Sequence, residues 1–259
     1  MAHKVLVLSP LHNMGASVVS MMIAQGATYD NKTSMLVYTE PTSLLPLYIG
    51  VDDINDPTRS IMQIVKLIDN GAIADADIKD YAFTFAKNCY LLNIADKSLA
   101  EKDRIQVVRH VYSRVPTGLT VCDCSEDLNS KFTESLVEES DMIFIVIDSS
   151  QKAFQRLKLW LQEPILKNNS KDIYIVINEY NEVVMSVRNL AKKLGLPANR
   201  VCKLHYNPWI TKCCLNGGLA TILPLTQEYD ARVVNLKSDI DELNQCIDGS
   251  IILKSKKGL

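Results

Sequence analysis

The sequence predicts an α/β fold with a doubly wound, mostly parallel sheet that is flanked by helices on both faces. Short runs of apolar and β-branched residues alternate with helical periods along the 259-residue chain. Continuous apolar runs such as Ile143–Ile147 are typical of strands covered on both faces. Right-handed crossovers build such an alternation into one open sheet. Since no linker rich in Gly and Ser interrupts it, we expect one domain over residues 1–250 and a short basic and apolar tail at 251–259.

Seven short runs of β-branched and apolar residues are predicted as strands. They are Lys4–Ser9, Ser34–Tyr38, Tyr90–Ile94, Leu119–Cys124, Met142–Ile147, Ile173–Asn178 and Arg200–His205.

Apolar residues at helical spacing predict the intervening helices. The first helix, Val18–Ala27, is apolar nearly all round, as expected for a helix buried against a central strand. Further stripes are Ile61/Ile64/Val65/Ile68, Ile105/Val108/Tyr112/Val115, Phe154/Leu157/Leu161/Ile165, Val183/Val187/Leu190/Leu194 and Tyr229/Val233/Leu236/Ile240/Leu243/Ile247. The last stripe predicts a long final helix, either packed on the sheet or available to a partner.

Composition limits the compartment and the partners. The net charge of −2 gives no electrostatic reason to expect nucleic-acid binding, which is therefore unsupported. The N-terminal residues lack the pattern of a signal peptide, and no apolar run approaches the length of a membrane span. The seven cysteines are odd in number and scattered, which indicates reduced thiols. We expect a cytoplasmic protein.

The turn after the first strand is the expected ligand site, because doubly wound sheets bind ligands at the carboxyl ends of their strands. Its sequence, Ser9 to Val18, resembles the phosphate-binding loop of the MinD/ParA branch of P-loop ATPases, a deviant Walker A motif that reads Lys-Gly-Gly-x-Gly-Lys-Thr-Thr. Gly15 is kept, and Ser17 matches the hydroxyl that holds magnesium. The resemblance implies a nucleotide contact by the residues Asn13, Met14, Gly15, Ala16, Ser17 and Val18.

The same loop departs from the family at its charged positions. Leu11 stands at the signature lysine, and Ala16 stands at the phosphate-binding lysine. The two lysines neutralise phosphate charge and stabilise the transition state, which leucine and alanine cannot do. His12 and Asn13 replace two glycines, so their side chains narrow the approach to the backbone amides. His12 could contact an anion, although an exposed loop histidine is the more ordinary alternative.

Two carboxylates match the family's catalytic and metal positions. Glu40 aligns with the carboxylate that positions the attacking water, while Tyr38 replaces the aspartate two residues earlier. A solvated loop glutamate is the favoured alternative for Glu40. Asp123 resembles the Walker B aspartate, which contacts magnesium through water, and its alternative is a cap or turn residue. If nucleotide binds, the resemblance therefore implies a magnesium site made by Ser17 and Asp123.

Three later residues complete the implied nucleotide site. Asn178 matches the family's asparagine that contacts the adenine edge, whereas the following Glu179 replaces an arginine. Asn207 and Pro208 resemble the segment that lies beside the base. The loop after Asp123, which in the family contains Pro and Gly, reads Ser125-Glu126-Asp127 here, so a switch that senses the γ-phosphate is in doubt.

A thiolate metal site is a separate possibility that the spacing does not favour. Cys122 and Cys124 point to the same face of a strand, and Cys213 and Cys214 could approach them. Because there is no Cys-x-x-Cys pair, we expect these cysteines to be core residues.

The resemblance implies a catalytically degenerate MinD/ParA-like protein that positions or assembles other proteins through protein contacts. Among the branches it is most similar to the TadZ/CpaE-like pilus-assembly proteins. ATP with magnesium, or ADP, is expected to bind weakly or not at all. Active relatives dimerise around two ATP molecules, and with Leu11 in place of the lysine we expect any homodimer to need no nucleotide.

Two other functions remain open. One is an active partition-type ATPase with an unusual loop, and the other is a structural subunit that docks through its final helix. The tail Ile251–Leu259 faintly resembles an amphipathic helix on the inner face of a membrane. It is shorter than an ordinary interfacial helix, so a frayed, solvated terminus is favoured.

Overall fold

The computed structural model describes residues 3–30, 32–40, 43–51, 59, 61–72, 77–95, 99–114, 118–181, 186–222, 224 and 233–257. An eight-stranded sheet runs through the domain. Its strands are β1 (His3–Leu8), β2 (Ser34–Tyr38), β3 (Phe83–Ala86), β4 (Cys89–Asn93), β5 (Leu119–Cys124), β6 (Met142–Ile147), β7 (Asp172–Tyr180) and β8 (Val201–His205).

Ten α-helices connect or follow these strands within the described ranges. They are α1 (Ala16–Gly26), α2 (Leu45–Ile49), α3 (Ile61–Asp69), α4 (Glu101–Arg114), α5 (Lys131–Glu139), α6 (Gln151–Trp160), α7 (Pro164–Lys167), α8 (Val187–Leu194), α9 (Pro208–Leu215) and α10 (Val234–Lys257). Short 3₁₀ turns lie at Ala27–Asp30, Asp77–Tyr81, Ala198–Arg200 and Leu219–Thr221.

The strand order confirms the doubly wound, mostly parallel sheet. It is β3-β4-β2-β5-β1-β6-β7-β8, and β3 with β4 is the antiparallel pair. The central β1 lies between β5 and β6, so the loop that follows it leaves from the middle of the sheet. This position places the loop among the carboxyl ends of neighbouring parallel strands, where open α/β sheets bind ligands.

Two apolar cores, one on each face, sandwich the sheet. The first face, which includes Leu6 and Cys122, packs against α3–α8. The second face, which includes Val5 and Val121, packs against α1, α2 and α10. Both core layers form because the buried strands carry apolar residues at successive positions, which point alternately to the two faces.

The final helix is part of the second core. Its apolar stripe is fully or nearly fully buried and consists of Leu236, Ile240, Leu243 and Ile247. These residues pack toward α1 and β8, so a docking helix would have to use a different surface. The helix also continues to Lys257 where the sequence favoured a frayed tail. Tyr229, the predicted first residue of its stripe, lies outside the described residues.

One predicted helix was wrong, and several elements were not predicted. β3 was not predicted, because a four-residue strand at the sheet edge has too few residues to show a period. The helix predicted over the stripe from Phe154 to Ile165 is two helices. Here α6 ends at Trp160 and α7 begins with Pro164, which has no N–H to donate within a continuing helix. The helices α2, α5 and α9 were also not predicted.

Candidate functional site

The loop between β1 and α1 is held open by left-handed backbone at two positions. Asn13 has φ of 63° and Gly15, which caps α1, has φ of 85°. Ser9 fixes the start of the loop, since its hydroxyl lies 2.7 Å from Leu11 O and 3.1 Å from Val146 O. The loop therefore leads into the N-terminus of a buried helix, where free backbone N–H groups favour an anion.

The backbone at Gly15 lies close to the Asn178 side chain of β7, which leaves little room for a side chain at position 15. A Cβ atom at this position would lie 2.1 Å from Asn178 Nδ2. The same amide nitrogen donates a hydrogen bond to Met14 O at 3.0 Å. Asn178 thus braces the loop with its side-chain donor, and a contact with an adenine edge stays a prediction.

Asp123 lies at the end of β5 directly beneath α1. Its side chain is only 4% exposed, and burial raises its pKa to about 6 because the carboxylate loses its hydration. The hydroxyls of Ser17 and Ser20 act in the opposite direction and favour the charged form. The Ser20 hydroxyl lies near the Asp123 carboxylate, but the two do not reach the geometry of a full hydrogen bond. The structure therefore brings Ser17 and Asp123 together, as a hydroxyl–carboxylate pair that fits Mg²⁺.

A cavity of about 410 Å³ opens beside this pair. It is lined by Ser9, Leu11, His12, Asn13, Met14, Gly15, Ala16, Ser17, Val18, Glu40, Ser43, Leu44, Tyr48, Asp123, Ser125, Asn178, Glu179, His205, Tyr206, Asn207, Ile210, Thr211 and Cys214. The lining includes every residue of the predicted nucleotide, magnesium and catalytic sets except Pro208. Pro208 begins α9, next to Asn207, whose side chain caps that helix by accepting from Trp209 N at 2.9 Å.

The charge of the lining does not suit a triphosphate. Among the described residues around the cavity none is Lys or Arg, while Glu40, Asp123 and Glu179 supply three carboxyl groups. Backbone amides at the start of α1 favour an anion, but only with partial charges. The site fits Mg²⁺ at Ser17 and Asp123, and the part of its lining that the structure describes has no lysine or arginine to meet the phosphates.

Glu179 occupies an irregular point of β7. Its φ is 52°, and the pairing register with β8 shifts between Ile177 and Tyr180. A left-handed glutamate is uncommon and costs conformational energy. The bulge places this carboxyl group in the lining of the cavity.

Sequence reasoning missed a buried arginine behind the cavity. Arg104 of α4 is 8% exposed, donates to Thr39 O at 3.3 Å and forms an ion pair with Glu126. Its guanidinium also lies 4.0 Å from the centre of the Phe132 ring. Arg104 thereby joins the end of β2 to the loop that follows Asp123. A side chain therefore holds that loop in place.

A second missed group is a histidine–carboxylate pair at the far side of the cavity. His205 Nδ1 lies 2.9 Å from Asp239 Oδ1, and His205 N donates to Asp239 Oδ2 at 2.8 Å. Burial raises the pKa of Asp239, and the contacts with His205 oppose that rise. The signal that could have found it is an aspartate within the apolar stripe of α10, between Leu236 and Ile240.

The mouth of the cavity carries exposed apolar side chains. Leu44 and Tyr206 belong to the lining and are 53% and 61% exposed, while Leu47 and Leu215 nearby on α2 and α9 are 61% and 81% exposed. The two helices pack against each other at Gly50, where an added Cβ would meet Gly217 O at 2.7 Å. We call these four side chains the mouth surface. Clustered apolar exposure of this kind is typical of an interaction site.

The described ranges contain no group of three or more potential metal-ligating His, Cys, Asp or Glu residues of the kind that holds a metal. Cys122 and Cys124 lie in the first core, whereas Cys213 and Cys214 pack against the second, so the sheet separates the two pairs. Within the same ranges, no helix combines the length and apolar character that crossing a membrane requires.

Comparisons with known proteins agree with the fold. No protein-family model and no curated protein sequence matches the chain. A ParA family ATPase from Chlorobium tepidum is 14% identical, with 96% of this chain and 99% of that chain covered and a TM-score of 0.71. MinD from Pyrococcus horikoshii, complexed with Mg-ADP, is 16% identical, with 96% of each chain covered and a TM-score of 0.70. The MinC:MinD cell division complex of Aquifex aeolicus gives 13% identity, coverage of 95% and 96%, and a TM-score of 0.72.

These similarities establish the class of fold. The chain has the fold of the MinD/ParA P-loop ATPases, along nearly its whole length. At these identities the likeness concerns the fold alone, so the activity has to be argued from the site.

Proposed function

We propose that the protein is a catalytically degenerate MinD/ParA-like factor that positions or assembles other proteins through protein–protein contacts. The observation that supports this most strongly is the cavity lining, in which neutral Leu11 and Ala16 occupy the two lysine positions. No described lining residue replaces either ammonium group.

Charge explains why hydrolysis would be impaired. Catalysis of phosphoryl transfer depends on positioning and on cations that stabilise charge on the transferring group. Here the described lining offers carboxyl groups, two histidines and partial backbone charges but no lysine or arginine, so Mg²⁺ at Ser17 and Asp123 would have to supply most of the positive charge. We therefore expect weak nucleotide binding and little turnover.

The mouth surface supports action through protein partners. Two of its four apolar side chains, Leu44 and Tyr206, line the cavity, so a protein bound to this surface would lie against the site. MinD of Aquifex aeolicus forms a complex with MinC. By this analogy of fold, we propose a partner protein for the present chain, and also a homodimer that needs no nucleotide.

We further propose that the partner belongs to a pilus or secretion machine, as for the TadZ/CpaE-like proteins that the sequence resembles. Such a factor would work in the cytoplasm or at the inner face of the membrane. The genes encoded beside this one test the assignment. Genes for pilus or secretion components would support it, whereas a gene for a centromere-binding protein would favour partition.

One observation favours a second candidate, an active partition-type ATPase. The left-handed loop and the nearness of Ser17 to Asp123 support this candidate, because an ATP site needs backbone amides that face the phosphates and a place for Mg²⁺. This candidate predicts a dimer that requires ATP, as the resemblance implies for active relatives.

Sedimentation velocity of the full chain, with and without Mg-ATP, separates the two candidates. Our proposal predicts the same distribution of species in both conditions. A dimer that forms strictly on addition of Mg-ATP would overturn the proposal and support the partition-type ATPase.

A further inference from the structure

Two cysteines from distant parts of the chain meet where the final helix crosses the sheet. Cys202 lies in β8 and Cys246 in α10, and their Sγ atoms are 3.2 Å apart. Both are free thiols. We propose that this pair is a redox modification site, which a small disulfide of the glutathione class oxidises to a reversible Cys202–Cys246 disulfide.

The register of α10 on β8 is fixed by other contacts, so the approach of the sulfurs is part of the packing. The Tyr174 hydroxyl donates to Cys246 O at 3.1 Å. Two helical turns earlier, Asp239 of α10 holds His205 of β8. The two thiols therefore need only a small local movement to reach the sulfur–sulfur distance of a disulfide, about 2.05 Å.

Cys202 and Cys246 differ in exposure and in the pKa of their thiols, and these differences indicate which of the two reacts first with the oxidant. Cys202 is 1% exposed, whereas Cys246 is partly exposed and accessible to a small oxidant. The hydrogen bond with Cys202 lowers the pKa of the Cys246 thiol, while the same contact and burial raise the pKa of Cys202. Since the thiolate is the attacking species, Cys246 reacts first and Cys202 resolves.

The chemistry balances with glutathione disulfide as the oxidant. The Cys246 thiolate attacks one sulfur of glutathione disulfide, the sulfur–sulfur bond breaks, and one glutathione leaves as a thiolate. Cys202 then loses its proton and attacks Cys246 Sγ, which displaces the second glutathione. Two protein thiols are oxidised and one glutathione disulfide is reduced to two glutathione molecules.

The Cys202–Cys246 disulfide would link α10 covalently to β8 beside the cavity. It closes a loop between residues 44 apart, which restricts the unfolded chain. It also fixes the helix that holds Asp239 against His205, one of the cavity-lining residues. We expect oxidation to raise the melting temperature by about 5–10 °C.

The test is oxidation of the folded full chain with glutathione disulfide, followed by peptide mapping without reduction. We expect a Cys202–Cys246 linked peptide pair, a mass lower by two hydrogen atoms, and reversal by dithiothreitol. Cys202→Ser should trap glutathione on Cys246, and Cys246→Ser should abolish the link. Cys213→Ser is the matched control, because Cys213 is also partly exposed but lies on α9, and the link should persist.

Mapping of the wild-type chain decides the outcome without relying on any variant. If Cys213 or Cys214 carries glutathione while Cys202 and Cys246 remain reduced, the proposal is overturned. It is equally overturned if Cys202→Ser and wild type accumulate the same glutathione adduct on Cys246, since Cys202 then does not resolve it.

Discussion

Asn178 Nδ2 donates to Met14 O at 3.0 Å, and this bond joins the end of β7 to the loop before α1. The amide lies so close to Gly15 that a methyl group there would force the Asn178 side chain to move and to give up this bond. The side chain of Asn178 therefore braces the loop from within the protein.

Gly15→Ala should destabilise the fold by about 2–4 kcal/mol, from the left-handed backbone and the clash with Asn178 together. Urea unfolding measures the loss. Gly195→Ala is the control, because Gly195 has a similar φ of 68° but open space around its Cβ position. It should lose about 1 kcal/mol. Equal losses at the two glycines would show that the contact with Asn178 does not constrain the loop.

Arg104→Met should destabilise the protein by about 3 kcal/mol, because Glu126 would remain partly buried without its cation. Hydrogen exchange of the loop after Asp123 should also accelerate. Arg109→Ala is the control on the same helix, where the arginine is 54% exposed and pairs with Glu138 and Glu139. That change should cost less than about 1 kcal/mol. An unchanged exchange rate in Arg104→Met would contradict a bracing role.

Asp123 should make stability depend on pH. Burial raises the pKa of Asp123 from 3.8 to about 6. The protonated carboxyl group therefore stabilises the folded state fully below about pH 4, and this stabilisation is lost as pH rises through about 6. Asp123→Asn removes the titrating carboxyl group, so the variant does not lose stability over this pH range. Relative to wild type, its free energy of unfolding should gain about 3 kcal/mol between pH 4 and pH 8, at 1.36 kcal/mol per pKa unit.

Urea unfolding across that pH range measures the gain. The control Asp127→Asn changes an exposed aspartate four residues later and should follow the wild-type pH curve. A constant difference between Asp123→Asn and wild type at every pH would refute the buried-carboxyl account.

Restoring both ammonium groups should restore nucleotide binding. The double variant Leu11→Lys/Ala16→Lys should bind Mg-ATP at least about tenfold more tightly than wild type, because each charged hydrogen bond is worth about 1.5–3 kcal/mol. The control Leu11→Gln/Ala16→Gln supplies polar side chains without charge and should gain much less. Equal affinities in the two double variants would show that charge is not what the loop lacks.

We expect the mouth surface to form the contact between the two subunits of the proposed homodimer. Leu47→Glu and Leu215→Glu should each shift sedimentation toward the monomer, because a charge would be buried in the contact. Leu159→Glu is the control, since Leu159 is 58% exposed on α6, which packs on the opposite face of the sheet. A wild-type chain that stays monomeric at high concentration would contradict the proposed homodimer.

The sequence predicted the sheet well because its buried strands are continuous apolar runs. The bounds of Ser34–Tyr38, Leu119–Cys124 and Met142–Ile147 agree with the structure. β3 was not predicted because it is too short to show a period. The break between α6 and α7 was not predicted because the helical spacing of apolar residues continues past Pro164.

The candidate site was only partly predictable. The resemblance to MinD/ParA motifs selected the loop residues, Glu40, Asp123 and Asn178, and the structure brings them to the lining of one cavity. They lie at or near the carboxyl ends of parallel strands, which meet at one edge of the sheet. Arg104 and Asp239 were missed because their partners are distant in sequence, with Thr39 65 residues from Arg104 and His205 34 residues from Asp239. Spacing along the chain gives no signal for the partner of either residue, although Asp239 itself stands out as an aspartate within an apolar stripe.

Titration of the purified full chain with Mg-ATP in a calorimeter, with phosphate release followed in parallel, tests the central claim most directly. A cavity without lysine or arginine among its described lining residues predicts no binding in the micromolar range and no measurable turnover. Micromolar binding accompanied by steady phosphate release would contradict it.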